Sequence, residues 1–210
     1  MQAEVFRAWI AATAAVIEEQ RDHLTQLDAA IGDADHGINL SRGFTAVLGA
    51  LETASPATPG AILTVTGSTL ISKVGGASGP LYGMAFRSAG KALGDTADVD
   101  LASLAAALEA ALAGVQRLGA AREGDKTMVD ALAPATGAFS KAVAEGAPEA
   151  DALAALADAA QAGAAATIPM QALKGRASYL GPRSVGHEDP GAASTALILS
   201  ALRDAALTGQ

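Results

Sequence analysis

An all-α fold is predicted by three features of this 210-residue sequence. Half of it is hydrophobic while aromatic residues make up only 3%, so the apolar content is chiefly alanine and leucine, both strong helix formers. Apolar positions recur at steps of three to four rather than two. Glycine and proline cluster between these periodic stretches, where they mark connections.

The stripes follow one another along the whole chain. Val5, Phe6, Trp9, Ile10, Val16 and Ile17 form the first, with Trp9 a core side chain. A second helical piece leads to Asp28. A third runs from about Gly37 to Ala54, carrying Leu40, Phe44, Val47, Leu48 and Leu51 on one face, and ends in the Ser55–Gly60 segment. Pro59 suits the first turn of the next helix, whose Ile62, Leu63, Thr66, Leu70 and Val74 keep the period. Further helices are expected from Pro80 to about Leu93, from the cap residue Asp100 to about Leu118, around Val129, Leu132, Phe139 and Val143, over roughly Pro148 to Ala166, and from Gly191 to Leu207. Asp125 or Thr127 is expected to cap the helix of Val129, and Asp189 with Pro190 reads as an N-cap and first-turn pair. No segment recurs at a fixed period. None reads as an interdomain linker, so residues 1–210 are expected to form one domain.

Chemistry concentrates between Leu27 and Asn39. Asp28, Asp33 and Asp35 stand within eight residues of a chain that is only 17% charged. Carboxylates this close need a cation among them, and Mg²⁺ takes oxygen ligands of this type together with substrate phosphates. If the helix carrying Asp28 is broken at Gly32, Asp33 and Asp35 share one face of a short extended turn. An EF-hand is excluded, because the fifth and sixth positions counted from Asp33 are Gly37 and Ile38, where that loop requires an acid and a glycine. The competing reading makes these aspartates simple turn formers and caps.

Two further stretches stand out. Gly75-Gly76-Ala77-Ser78-Gly79-Pro80 sets a glycine-rich loop before a helix, exposing N–H groups beside a positive dipole end that suits phosphate; a plain interhelical turn has the same composition. Between Lys174 and Gly191 basic residues, a histidine, glycines and prolines replace alanine. A connection this long between helices is usually functional or mobile.

In chain order, Asp28-x4-Asp33-x-Asp35-His36-Gly37, the Gly75–Gly79 loop, Gly124-Asp125-Lys126-Thr127-Met128, Gly175-Arg176-Ala177-Ser178-Tyr179-Leu180-Gly181 and His187-x-Asp189-Pro190-Gly191-Ala192 together resemble the L subunit of dihydroxyacetone kinase, over about residues 5–206. The resemblance implies a closed barrel of eight antiparallel up-and-down helices, with ADP or ATP and two Mg²⁺ held in loops at one end. It implies Asp28, Asp33 and Asp35 as metal ligands, and His36, Gly37, Ile38 and Asn39 along the phosphates. Ala77 and Ser78 match the phosphate loop, Gly119 and Met128 the adenine side, and Arg176, Asp189, Pro190 and Gly191 the remaining nucleotide contacts. Without the resemblance, Gly119 and Met128 read as a helix end and a core side chain.

The same resemblance implies a phosphotransferase subunit acting with a dihydroxyacetone-binding partner. One branch of the family keeps ADP bound and recharges it from a phosphohistidine donor of the sugar phosphotransferase system; the Asp35-His36-Gly37-x-Asn39 segment is similar to that branch. Fused relatives that use ATP typically carry cysteine at His36, although separate ATP-using chains exist, so an ATP-dependent subunit is the alternative. A non-catalytic helical ADP–Mg sensor or adaptor is the second alternative. Phosphoryl transfer demands positioning and charge neutralisation rather than a protein nucleophile. His36 and His187 are therefore expected to donate or accept hydrogen bonds, not to carry phosphate.

Charge and composition bound the partners. A net charge of −8 argues against nucleic acid, which is held through lysine and arginine, but not against a nucleotide whose phosphates metal ions neutralise. No unbroken apolar run reaches the roughly 18 residues of a membrane span, and the N-terminal stretch lacks the order of a signal peptide. With no cysteine, a cytoplasmic protein is expected.

Overall fold

The N-terminal stretch folds as two successive helices, as its two apolar stretches predict. In the computed structural model, which describes residues 1–208, α1 (Ala3–Glu19) gives way at Gln20 to α2 (Arg21–Ile31). The chain continues as α3 (His36–Ala54), α4 (Pro59–Lys73), α5 (Ser78–Leu93), α6 (Leu101–Gly119), α7 (Val129–Ala144), α8 (Glu149–Ala166), a 3₁₀ segment (Arg176–Ser184) and α9 (Pro190–Thr208), with no strand among the described residues. Eight of the nine α-helices are neighbours in ring order. α1 packs on α3, α3 on α4, and contact passes through α5, α6, α7 and α8 to α9, which returns to α1. α2, the second piece read from the sequence, stands outside this ring of eight among the described residues and packs on α3, α9 and the 3₁₀ segment.

The connections alternate between two ends. Residues from the α2–α3, α4–α5, α6–α7 and α8–α9 connections line one cavity. Met1 meets the α5–α6 connection and Glu149 of α8 around a groove elsewhere, and Arg7 of α1 donates to the Pro56 carbonyl before α4. The helices therefore run up and down.

Several ends follow the sequence closely. Thr58 accepts from the Ala61 N–H at 3.3 Å, Asp100 from Ser103 at 2.7 Å and Asp189 from Ala192 at 2.7 Å, each a side chain satisfying a first-turn donor. One expectation needs correction, and another holds for one of its two residues. α5 begins at Ser78, so Pro80 is its third residue and not its first. Asp125 does not cap α7, since its carboxylate accepts the Arg122 N–H within its own turn; Thr127, just before Met128, does satisfy a first-turn donor, its Oγ1 accepting the Val129 N–H at 3.1 Å while Asp130 accepts the Thr127 N–H at 2.7 Å.

Four of the seven aromatic residues gather in one place. Trp9 lies 6.1 Å from Phe6 and 5.5 Å from Phe86 between ring centroids, and Phe44 lies 6.2 Å from Phe86. Trp9 is buried, and its indole N–H donates to the Ile198 carbonyl at 2.9 Å. α6 is long and apolar enough to cross a membrane by length and composition, yet its Leu104, Leu108, Ala111 and Val115 are buried in this core.

Glycine sets a close crossing between α4 and α5. A Cβ added at Gly67 would stand 2.4 Å from the Gly83 carbonyl oxygen, and one at Gly90 would stand 2.5 Å from that of Gly60. Gly49 of α3 and Gly137 of α7 have nothing within 4 Å of an added Cβ. The two settings give opposite expectations for the same substitution. Gly67→Ala forces two helices apart and should lower stability by about 1–3 kcal/mol, whereas Gly49→Ala should raise it by about 0.5–1 kcal/mol by restricting the unfolded chain. Urea titrations of both variants check this, and a shift of the same sign in both contradicts it.

Candidate metal and phosphate site

The acid turn is folded by its own first carboxylate. Asp28, near the end of α2 and only 8% exposed, accepts the Asp35 and His36 N–H groups at 2.9 and 3.1 Å with one oxygen. A Cβ at Gly32 would fall 2.0 Å from the other Asp28 oxygen, so only glycine lets the chain pass. Ala34 takes a left-handed conformation, φ 62°, between Asp33 and Asp35. One oxygen from each of Asp28, Asp33 and Asp35 then lies within 4.8 Å of the others. Oxygen ligands about 2.0–2.1 Å from an octahedral Mg²⁺ stand about 3–4 Å apart. An all-oxygen, triply anionic set with this spread fits that ion after small side-chain rotations. Asp33 is meanwhile paired with Arg176 of the 3₁₀ segment at 3.1 Å.

Behind the turn, His36 points inward. It is 7% exposed; Nδ1 meets Ser78 Oγ at 3.1 Å and Nε2 meets Ser194 Oγ at 2.8 Å. Tyr82 OH continues the network to Ser194 at 2.6 Å, Thr195 at 2.9 Å and the Gly191 carbonyl at 2.8 Å. Burial pushes the His36 imidazole below its ordinary value, opposed by Asp28 and Asp35. With both ring nitrogens engaged, His36 ties α3, α5 and α9 together and is not presented as a nucleophile. His187 is exposed, and its carbonyl accepts from Lys126 at 2.6 Å.

A cavity of about 170 Å³ brings most of the expected residues together: Asp28, Asp33, Asp35 and His36 on one side, and Ala77 and Ser78 on another. Met128, Arg176, Asp189, Pro190 and Gly191 complete it. An adjoining groove of about 260 Å³, sharing Ala77 and Met128 with the first, contains Gly119 beside Leu81 and Leu118. Its wall is mainly apolar. Three expected residues do not line either space. Gly37 backs onto α2, where an added Cβ would sit 2.0 Å from the Arg21 carbonyl oxygen; Ile38 is 51% exposed; Asn39 accepts from Arg42 at 2.9 Å beside Gly75. Gly37 and Asn39 thus serve the start of α3, one in its approach to α2 and the other in its bond to Arg42, and Ile38 faces outward.

Tyr82, Lys126, Thr127 and Lys174 also line the cavity and were not singled out as site residues by the sequence reading. Tyr82 stands four residues after Ser78, one turn along α5, which is the one signal that could have found it. Ser194 and Thr195 carried no such signal, since hydroxyls are ordinary in helices.

The arrangement defines a class: a helical protein in which a turn of three converging carboxylates, a set that fits a hard cation, faces a glycine-rich helix start across one cavity. Residues 30–204 match the DAK2 domain, and the chain belongs to that family. It is 41% identical over 198 residues, 94% of each chain, to the PEP-dependent dihydroxyacetone kinase, ADP-binding subunit DhaL, of Escherichia coli. It is 41% identical over 186 residues to the ADP-binding subunit DhaL of PEP-dependent dihydroxyacetone kinase 1 from Listeria innocua, covering 89% of this chain and 88% of that one. The crystal structure of the C. freundii dihydroxyacetone kinase in complex with AMP-PNP and Mg²⁺ superposes with a TM-score of 0.73 at 30% identity, covering 97% of this chain and 34% of that longer one.

Asp189 gives the site a pH signature. Burial, reinforced by Asp130 and opposed by the Ala192 N–H and Lys126, raises its carboxyl from 3.8 to about 7. Between those values the folded chain keeps a proton that the unfolded chain has released. The stabilisation from this group is therefore fully present at about pH 4 and is lost as the pH rises toward about 7. Asp189→Asn keeps the cap and removes the titration, so without Mg²⁺ and nucleotide its stability should fall less than wild type across that interval. Parallel denaturant curves at both ends of the interval test this; identical slopes with pH would exclude it.

Proposed function

We propose that this chain is the nucleotide-binding phosphotransferase subunit of a dihydroxyacetone kinase, taking a phosphoryl group from a phosphohistidine donor and delivering it to dihydroxyacetone on a partner subunit. The observation that carries the reading is the convergence of Asp28, Asp33 and Asp35 on one point of the cavity that Ser78 and Arg176 also line. The names of the Escherichia coli and Listeria innocua relatives, matched over nearly their whole length, support the ADP-binding, PEP-dependent form.

In this reading ADP and two Mg²⁺ occupy the site, and the bound metal–nucleotide supplies the phosphoryl carrier and the neutralising charge. The three aspartates hold the cations. The α5 start, with Ala77 and Ser78, and the first turn of α3 offer backbone N–H groups to phosphate. Arg176 supplies a guanidinium beside the acids, and the Gly119–Met128 groove takes the base. Asp189 orders the start of α9, placing Pro190 and Gly191 at the cavity wall. The chain acts as one domain, with a dihydroxyacetone-binding subunit and a phosphohistidine donor as protein partners and the cytoplasm as its location.

Reconstitution decides the reading. The protein mixed with a dihydroxyacetone-binding subunit, dihydroxyacetone, Mg²⁺ and a phosphorylated donor should yield sugar phosphate; product only with ATP would move the chain to the ATP-dependent form, and none with either would refute the kinase reading. Asp33→Asn removes one charge facing the cations. A charge-assisted contact contributes about 1.5–3 kcal/mol, so ADP affinity in Mg²⁺ should fall at least about tenfold while the helical circular dichroism is unchanged. Calorimetric titration showing equal ADP affinity in both proteins would reduce the acids to turn formers.

A further inference from the structure

Lys126 is 1% exposed and takes a left-handed backbone conformation, φ 61°, in the α6–α7 connection. Its ammonium donates to the carbonyls of Met170 at 3.0 Å, Ser184 at 2.6 Å and His187 at 2.6 Å, and it forms no salt bridge among the described residues. An ammonium has three donors, so all are used, and all on backbone. A charge placed this deep without a carboxylate partner is costly; the compensation lies in what the three carbonyls belong to. They come from both limbs of the connection between α8 and α9.

Other bonds close the same base. Leu173 N–H donates to the Asp125 carbonyl at 3.0 Å, Gly186 N–H to that of Ile168 at 2.8 Å, and Ala172 N–H to Ser184 Oγ at 2.9 Å. Beyond this base the segment from Lys174 to Arg183 bends at Gly175, φ 65°, and at Gly181, φ 55°. Arg176, on that tip, reaches Asp33 at 3.1 Å. The base is thus tied to α6–α7 through Lys126, and the tip meets the acid turn through Arg176.

We infer that Lys126 is a positioning residue, which clamps both limbs of the α8–α9 connection so that Arg176 stands over Asp33. Its consequence for nucleotide binding rests on the proposed function above; the clamp itself does not. Burial lowers the affinity of the Lys126 amine for its proton, opposed by Asp189, so the three carbonyl bonds are what favour the ammonium there.

Lys126→Met removes the donors and keeps the stem. Hydrogen exchange at the Leu173 and Gly186 amides should accelerate by about tenfold or more, while amides in the middle of α3 and α9 remain protected. Affinity for ADP in Mg²⁺ should fall by about tenfold, and the double variant Lys126→Met with Arg176→Met should bind no more weakly than Arg176→Met alone, because residues acting in series are not additive. Unchanged exchange at those two amides, or fully additive losses of affinity, overturns the inference. Lys126→Gln, which keeps two N–H donors, serves if the methionine variant does not fold, with the same criteria. Wild type needs no substitution: nitrogen-15 NMR should show one lysine ammonium protected from solvent exchange, and its absence also overturns the clamp. Failure of the wild-type chain to bind ADP would refute the functional reading, and the exchange and ammonium measurements would still decide Lys126.

Discussion

The acceptance of two backbone N–H groups by Asp28 is the interaction on which the site depends. It folds residues 32–35 back against the end of α2 and fixes where α3 begins. Asp33 and Asp35 are placed by that turn rather than by their own hydrogen bonds. The cost is electrostatic, since three carboxylates share a space in which like charges destabilise one another. Asp28 offsets part of it through its N–H donors, and Arg176 neutralises Asp33 from across the cavity. A turn shaped only for capping would need no such convergence, because a cap uses one carboxylate per helix end.

Cations are scarce in this chain, and the structure shows how few are left for a phosphate. Lys126 borders the cavity but its donors are committed to carbonyls. His36 is buried and held below its ordinary protonation range, with both nitrogens bonded to hydroxyls. Lys174 and Arg176 remain as side-chain cations on the cavity wall. A polyphosphate carries more charge than these two supply, so the remainder falls to metal ions and to the N–H groups at the starts of α3 and α5. The acidic balance of the chain and a phosphate ligand are therefore compatible only through the acid turn.

Most of the helices were legible because their stripes have the helical period and their ends carry Thr58, Pro59, Asp100 and Asp189 in cap positions. The acid turn was legible because three aspartates in a chain poor in charge need an explanation. The side-chain roles at the start of α3 were less so: the resemblance to a family assigns Gly37, Ile38 and Asn39 to the phosphates, but sequence cannot distinguish a residue needed for its backbone from one needed for its side chain. Gly37 is required by the approach of α2. The Asp125-Lys126-Thr127 segment was half legible: Thr127 before an apolar stripe looks like a cap and does accept the Val129 N–H, whereas Asp125 folds the turn on itself and the lysine goes inward. Nothing local in a sequence announces that a lysine will meet three carbonyls some 44 to 61 residues further on.

The division of labour between the two parts of the molecule explains how such a site is tolerated. The helices meet through alanine and glycine, at distances where even one added carbon at Gly67 or Gly90 would collide with a carbonyl. Close backbone approach of this kind gains dispersion contacts along whole helices without large side chains, and it asks nothing of the loops. The connections away from the site are brief, as at Glu145–Pro148, whereas those on the site side include the nine residues from Ala120 to Met128 and the longer excursion from Thr167 to Asp189. Three of the four left-handed non-glycine residues among those described, Ala34, Ala120 and Lys126, lie on that side, and the fourth, Ser55, ends α3 at the other. A well-packed ring of helices can carry clustered like charge and left-handed backbone at one end, and this chain places its three converging carboxylates and most of its left-handed residues there.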